Sequence, residues 1–279
     1  MKPAYLLRAV ERTAWPERLD DQFPFNLPVL RTFERLEFTA PVTFLVGENG
    51  SGKSSLLEAL ACAIGAVTVG AESVMRDPSL EALRHFAFYL RLSWQKRTHK
   101  GFFLRAEDFF GYSRWMERVK TELRQDIATV EAEYQDRSAL ARALAKTPYQ
   151  SELGALEQRY GSGLDSRSHG ESFMLLFQER FVPGGLYLID EPEASLSPLR
   201  QLSFLTLLQR MVAEDAQFVI ATHSPMLMAF PGAQILSFDQ GIIRPAAYQD
   251  LDHVRLTRDF LNHPARYLDQ LAGEGGNES

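Results

Sequence analysis

Residues 47–54 read Gly47-Glu48-Asn49-Gly50-Ser51-Gly52-Lys53-Ser54, with Ser55 following. The octet has the spacing of a phosphate-binding loop, or Walker A motif. Before it stands an apolar run, Val42-Thr43-Phe44-Leu45-Val46, expected to form a buried parallel strand. After it, Leu56-Leu57-Glu58-Ala59-Leu60-Ala61 is expected to form a helix. This is the strand–loop–helix context that such a loop requires. Gly47, Gly50 and Gly52 let the chain curl around a phosphate. Successive backbone N–H groups and the positive end of the following helix then face the anion. Lys53 reaches β- and γ-phosphates, and the Ser54 hydroxyl can ligate Mg²⁺. A glycine-rich turn without chemistry is the alternative, and the flanking strand and helix weigh against it.

Two further stretches carry chemistry. Leu186-Tyr187-Leu188-Ile189-Asp190-Glu191-Pro192-Glu193 describes a central strand that delivers Asp190 to its C-terminal edge, where ligands bind in open α/β sheets. A carboxylate there can hold Mg²⁺ directly or through water. Glu191, one residue on, is placed to orient and polarise an attacking water. Ile220-Ala221-Thr222-His223-Ser224-Pro225 ends another apolar strand, from which His223 can reach a γ-phosphate. A carboxylate starting a solvated loop, or a histidine capping a turn, is the plain alternative for each. The order along the chain favours the chemical reading.

The 279 residues are 45% hydrophobic and 24% charged, with a net charge of −6, which is ordinary globular composition. That length allows one large α/β core with an inserted subdomain. The negative balance argues against a wholly basic nucleic-acid coat. Cys62 is the single cysteine, so no disulfide within the chain and no thiolate zinc site is available. No stretch approaches the length of apolar residues that a membrane span needs, and charge interrupts the N-terminus too early for a secretory signal. A cytoplasmic protein is expected, with no membrane partner.

Short β-like runs, Tyr5 to Val10, Val29 to Phe33 and Leu36 to Thr39, predict a small antiparallel layer ahead of the loop. Ala87–Leu92 and Gly101–Arg105 read as two strands around a basic connection of Arg91, Lys96, Arg97, His99 and Lys100 with Trp94 among them. That connection reads as a charged hairpin tip in water, with contact to nucleic-acid phosphates as the alternative. From Tyr112 to Tyr160, Trp115, Val119, Leu123, Ile127 and Val130 recur at helical spacing, predicting a helical insert. Gly161-Ser162-Gly163 reads as a linker, and Ser168-His169-Gly170-Glu171-Ser172 opens another helix. A helix from Pro198 to about Ala213 and a strand over 217–221 follow. Short strands near 234–238 and 242–244, a C-terminal helix and a disordered tail from Gly273 complete the reading. The expected division is a core of residues 1–110 and 176–279 around a helical subdomain of 111–175.

The set Gly47–Ser54, Ser168–Ser172, Asp190–Glu191 and His223 resembles the ATP-binding cassette (ABC) ATPase superfamily. The wording Asp190-Glu191-Pro192-Glu193-Ala194-Ser195-Leu196-Ser197-Pro198 and Thr222-His223-Ser224-Pro225 resembles its soluble, non-transporter branch, which includes bacterial ATPases of the AAA15/AAA21-like type. The resemblance implies an α/β P-loop fold with a mostly parallel central sheet, a small antiparallel layer and a helical subdomain. It implies Mg²⁺-dependent ATP hydrolysis, with Lys53 and Ser54 on phosphates and metal, Asp190 supporting the metal, Glu191 as catalytic base and His223 as a switch histidine. The whole loop, Gly47 through Ser55, would hold ATP. Ser168 and Gly170 would touch the γ-phosphate bound to a second copy, in an ATP-dependent homodimer. The usual signature is Leu-Ser-Gly-Gly-Gln, from which His169 and Glu171 depart, and Ser197 stands where transporters carry an aspartate. No glutamine matches the family's lid residue; Arg105 and Glu107 occupy its region. Phe23, Phe25 and Trp15 are the aromatic candidates for adenine, with a core role as the alternative. A protein effector such as a toxin or nuclease, or DNA, are the partners that the branch suggests.

Overall fold

The computed structural model describes the backbone of residues 6–68, 74–160 and 169–274, and the side chains of all of these except 106–117, 157–160, 169–172 and 272–274. The chain begins with β1 (Leu7–Arg12), a short helix α1 (Pro28–Thr32) and β2 (Arg35–Glu37). Next come β3 (Val42–Val46), α2 (Lys53–Ile64), α3 (Glu81–Ala87), β4 (Leu90–Trp94) and β5 (Gly101–Arg105). Two long helices follow, α4 (Ala106–Glu133) and α5 (Ala139–Tyr160), and then α6 (His169–Arg180). The second half alternates β6 (Leu186–Asp190), α7 (Pro198–Ala213), β7 (Gln217–Ala221), α8 (Pro225–Met228) and β8 (Gln234–Ser237). It closes with β9 (Arg244–Pro245), α9 (Asp252–Asn262) and α10 (Pro264–Glu274).

The main sheet has the order β5-β6-β7-β3-β8-β9, parallel from β5 to β8, with β9 antiparallel at its edge. Every residue of β3 is buried, as a strand flanked on both sides and covered on both faces must be. Side chains alternate between two apolar layers. Leu45, Phe103, Leu188 and Val219 enter the layer shared with α2, α3 and the second sheet. Phe44, Leu104, Ile189 and Ile220 enter the layer beneath α6, α7 and α8. The second sheet is small and antiparallel, in the order β2-β1-β4.

A buried glutamine ties the two sheets together. Gln217, fully enclosed at the start of β7, accepts the N–H groups of Leu6 (2.9 Å) and Leu7 (2.8 Å) through Oε1 and donates Nε2–H to Leu7 O (2.9 Å). The long helices α4 and α5 pack along one another; at 1.5 Å per residue α4 extends about 42 Å.

Several local expectations change. Val29–Phe33 is not a strand: Pro28 at the first helical position pre-sets the backbone angle of α1, and Val29 and Leu30 are buried from that turn. Ala87 ends α3, so the strand predicted over 87–92 is shifted to Leu90–Trp94. β4 and β5 do not make a hairpin, because β4 pairs with β1 and β5 pairs in parallel with β6. Ordinary β-propensity cannot reveal this, since partner choice is a tertiary matter. The last helix is two, divided at His263 ahead of Pro264, whose missing N–H starts α10 afresh. Gly273 lies inside α10 rather than in a tail. The linker Gly161–Gly163 lies outside the described residues. Among the described residues, no helix is long and apolar enough to cross a membrane.

Candidate nucleotide site

The strand register brings three sequence features to one edge. Asp190 lies opposite Ala221, and Ala221 lies opposite Leu45, so the C-terminal ends of β6, β7 and β3 stand side by side. The turns leaving these strands are stitched together as well: Glu191 N–H donates to Ala221 O (2.9 Å) and Thr222 N–H to Leu45 O (3.1 Å). Asp190, His223 and the Gly47–Ser54 loop therefore share the ligand-binding edge of the sheet, with β7 between the strands of the loop and of the acid.

The loop needs its glycines for two reasons. Gly47 and Gly52 have φ of +142° and +97°, in the region that side chains resist. A Cβ on Gly52 would also stand 2.5 Å from Val29 Cγ1. Lys53, the first residue of α2, is only 4% exposed, and its ammonium donates to Gly47 O and Glu48 O, both at 2.8 Å. An ammonium has three donors, so one is left for an anion in the loop. Burial lowers the Lys53 pKa, opposed by the carboxylates of Glu191, Asp190, Asp239 and Glu193. Ser51 Oγ is enclosed without a partner, a donor that a phosphate oxygen would satisfy. Glu48, Asn49 and Gly50 are exposed along the rim, while Ser54 and Ser55 are half-buried.

Ser54 Oγ donates to Asp190 Oδ1 at 3.1 Å across the gap between α2 and β6. Two hard oxygens at one position, one of them a carboxylate, suit a hydrated Mg²⁺. Burial pushes the Asp190 carboxyl up to about 7; the Ser54 hydroxyl opposes this, and the charges of Glu191 and Glu58 add to it.

Glu191 has φ 47° and ψ 53°, a left-handed conformation uncommon outside glycine and asparagine. Its Oε1 stands 3.7 Å from His223 Nε2. Burial, and next the charge of Lys53, lower the His223 pKa, so the imidazole is neutral at pH 7. Its Nε2 is enclosed with no hydrogen-bond partner.

Two site residues carried no assignment in the sequence reading. Glu193 Oε1 accepts His223 N–H and fixes the turn that presents the imidazole; burial raises its pKa. Asp239 Oδ1 accepts Glu48 N–H at 3.3 Å, and its Oδ2 accepts Ser237 Oγ–H at 2.6 Å, which braces the phosphate loop from the end of β8. The available signal for Asp239 was the one used for Asp190, an acid just past an apolar strand. Arg105, at the end of β5, pairs with Glu58 of α2 at 2.6 Å.

The other candidates are less gathered. Gly170 lies in the first turn of α6, and Ser168 lies outside the described residues. Glu107 belongs to α4, in the stretch described by its backbone alone. Phe25 is 1% exposed and packs edge-on against Trp15 and Phe86, so Phe25 and Trp15 are core aromatics; Phe23 is half-exposed. An apolar cleft of about 630 Å³ between α8 and α9, lined by Met226, Val254 and Leu261, borders His223 and Glu193.

The chain is similar to known families. A family described as "AAA domain" matches residues 25–146. A second, described as "AAA domain, putative AbiEii toxin, Type IV TA system", matches residues 172–229. An uncharacterized ABC transporter ATP-binding protein of Haemophilus influenzae is 27% identical over 220 residues, 74% of each chain. These likenesses support an ABC-type P-loop ATPase. The thiamine import ATP-binding protein ThiQ of Mesorhizobium japonicum is 28% identical over 248 residues, covering 84% of this ATPase and 85% of ThiQ. Among solved structures, cbiO1 of Clostridium perfringens, part of the ABC transporter complex cbiONQ, aligns with TM-score 0.49 and 14% identity over 96% of this chain and 99% of its own. The Smc head domain of Pyrococcus furiosus aligns with TM-score 0.45 and 12% identity over 96% and 99%.

Proposed function

We propose that this ATPase is an Mg²⁺-dependent switch of the cytosol in which ATP closes two copies on one another and hydrolysis releases them. The observation that carries the reading is the Ser54–Asp190 contact at the sheet edge that also holds Lys53, Glu191 and His223. Lys53 and the loop N–H groups grip the β- and γ-phosphates. Ser54 and Asp190 hold Mg²⁺, which when bound would neutralise charge shared between those phosphates.

Glu191 supplies the base. Its left-handed backbone breaks the line of β6 beyond Asp190, and its half-exposed carboxylate faces the end of the site. From there it takes a proton from water as the oxygen attacks the γ-phosphorus and ADP leaves. Neutral His223, positioned through Glu193, offers a ring N–H to the γ-phosphate oxygens. A neutral imidazole that makes or loses this hydrogen bond distinguishes ATP from ADP.

In this reading residues 111–175 form the helical subdomain that presents Ser168 and Gly170 to the nucleotide of the second copy. ATP then contacts both copies only in the closed state and favours it by that difference. Loss of the γ-phosphate removes the contacts and the pair opens. Glu191→Gln keeps the shape of the base without its charge, so it accumulates an ATP-bound dimer. Light scattering with saturating Mg²⁺-ATP measures this directly, and a monomeric mass for that variant refutes the switch.

The description of the family matching residues 172–229 favours a protein effector of toxin–antitoxin type as the partner that reads the switch. An effector that co-purifies only with ATP present supports this. DNA as the partner predicts salt-sensitive, ATP-dependent binding weakened by Arg97→Glu.

A further inference from the structure

Gln201 has no part in the hydrolysis derived above, yet its side chain is built into the core beside the site. It is the fourth residue of α7, and its backbone N–H donates to Ser197 O at 2.9 Å. A glutamine in the first turn of a helix is ordinarily solvated, but this one is 8% exposed. Its Nε2–H donates to Leu196 O at 3.1 Å, and its Oε1 accepts Ser224 Oγ–H at 2.5 Å. The Leu196 carbonyl can only accept, so the amide nitrogen must face it and the amide oxygen must face Ser224. Ser224, 7% exposed, spends its own proton on Gln201 and accepts Leu227 N–H at 3.3 Å, which caps α8.

Two segments meet through this amide. Residues 191–197 leave β6 and include Glu191 and Leu196, while Thr222, His223 and Ser224 leave β7. Glu193 Oε1 already joins the two by accepting His223 N–H. Gln201 joins them again at Ser224, the next residue along. A turn held at one point can pivot about it. Held at two consecutive residues, it has one direction, and buried bonds of this kind cost too much to leave unmade.

We propose that Gln201 is a positioning residue whose side-chain amide locks the turn of His223 onto the segment that carries Glu191, and so sets the aim of the imidazole. It acts through His223 alone. The proposal rests on the reading that Glu191 activates water and His223 meets the γ-phosphate.

Single-turnover phosphate release, which resolves slow variants, and equilibrium binding of a fluorescent ATP analogue with Mg²⁺ test it on the full chain. Gln201→Met keeps the length of the side chain and loses both bonds. The hydrolysis rate falls by about 10–100-fold, as for a group displaced by about 1 Å, while affinity stays within about twofold. In a His223→Ala background the same substitution costs less than about twofold more, because the group it aims is gone; a purely structural loss would recur in full. A Gln201→Met rate within about twofold of the parent, a loss that recurs in full without His223, or affinity falling in step with rate each overturns the proposal. Should Gln201→Met fail to fold, Ser224→Ala decides, since it spares the bond to Leu196. A loss of rate that vanishes in the His223→Ala background supports the proposal, and a parent-like rate overturns it. The underlying reading fails separately: Glu191→Gln and His223→Ala would then keep the parent rate whatever the Gln201 variants do.

Discussion

Glu191 stores backbone strain where the chemistry is expected, and that strain is measurable. A non-glycine residue in the left-handed region costs about 1–2 kcal/mol. Glu191→Ala removes the carboxylate but retains a Cβ at φ 47°. Glu191→Gly removes both. The difference between the two variants therefore isolates the backbone, because the loss of charge near Asp190 and Glu193 is common to them. Glycine's greater freedom in the unfolded chain gives back about 0.4–1 kcal/mol. The glycine variant is thus expected to be the more stable by about 0.5–1 kcal/mol, or about 1–4 °C in Tm for a chain of this size. Both variants lose about 10²–10⁴-fold in ATPase kcat if Glu191 is the general base. Calorimetric melting in EDTA without nucleotide, paired with phosphate release at saturating Mg²⁺-ATP, reads both quantities. A glycine variant that melts at or below the alanine variant refutes the strain argument.

Other outcomes follow from the same geometry. Gln217→Leu strands two N–H groups and one carbonyl in the core, at about 1–3 kcal/mol for each group that finds no new partner. Urea unfolding should show a loss of about 3–6 kcal/mol, and a loss below about 1 kcal/mol would show that the glutamine tie between the sheets is dispensable. Burial pushes the Cys62 thiol up to about 11, above its ordinary value. The folded thiol thus keeps its proton from about pH 9 to 11 while the unfolded chain loses it, so stability falls as pH rises through that window. An aromatic disulfide reagent at pH 9 should label Cys62 only after denaturant is added; prompt labelling of native protein contradicts the burial. Lys53→Ala should abolish measurable ATP binding by calorimetry while its melting curve stays cooperative, and unchanged affinity would remove the loop from nucleotide binding.

The backbone of the Gly47–Ser54 loop was legible because its stereochemistry is local. Eight consecutive residues determine the glycine angles, the helix start and the lysine, whatever the remainder of the chain does. The same holds for β3, β6 and β7: five-residue apolar runs ending at Val46, Asp190 and Ala221 announce buried parallel strands that deliver side chains to one edge. What sequence could not supply was pairing. β4 and β5 read as a hairpin because they are neighbours in the chain. In the fold β4 joins the small antiparallel sheet, and β5 becomes the edge of the main one. Pro28 likewise overrode the β-like composition of Val29–Phe33.

By itself, then, the sequence determined the course of a glycine-rich loop between a buried strand and a helix, and brought an acid and a histidine to strand ends, since each depends on short-range stereochemistry. Only the tertiary structure decided that β7 lies between the strands of the loop and of the acid, that Asp239 braces the loop, and that Glu193 fixes the turn of His223. It also decided that Arg105 grips Glu58 rather than standing free. These contacts join residues 30 to nearly 200 positions apart, and no local propensity encodes which distant carboxylate will meet a given N–H or guanidinium.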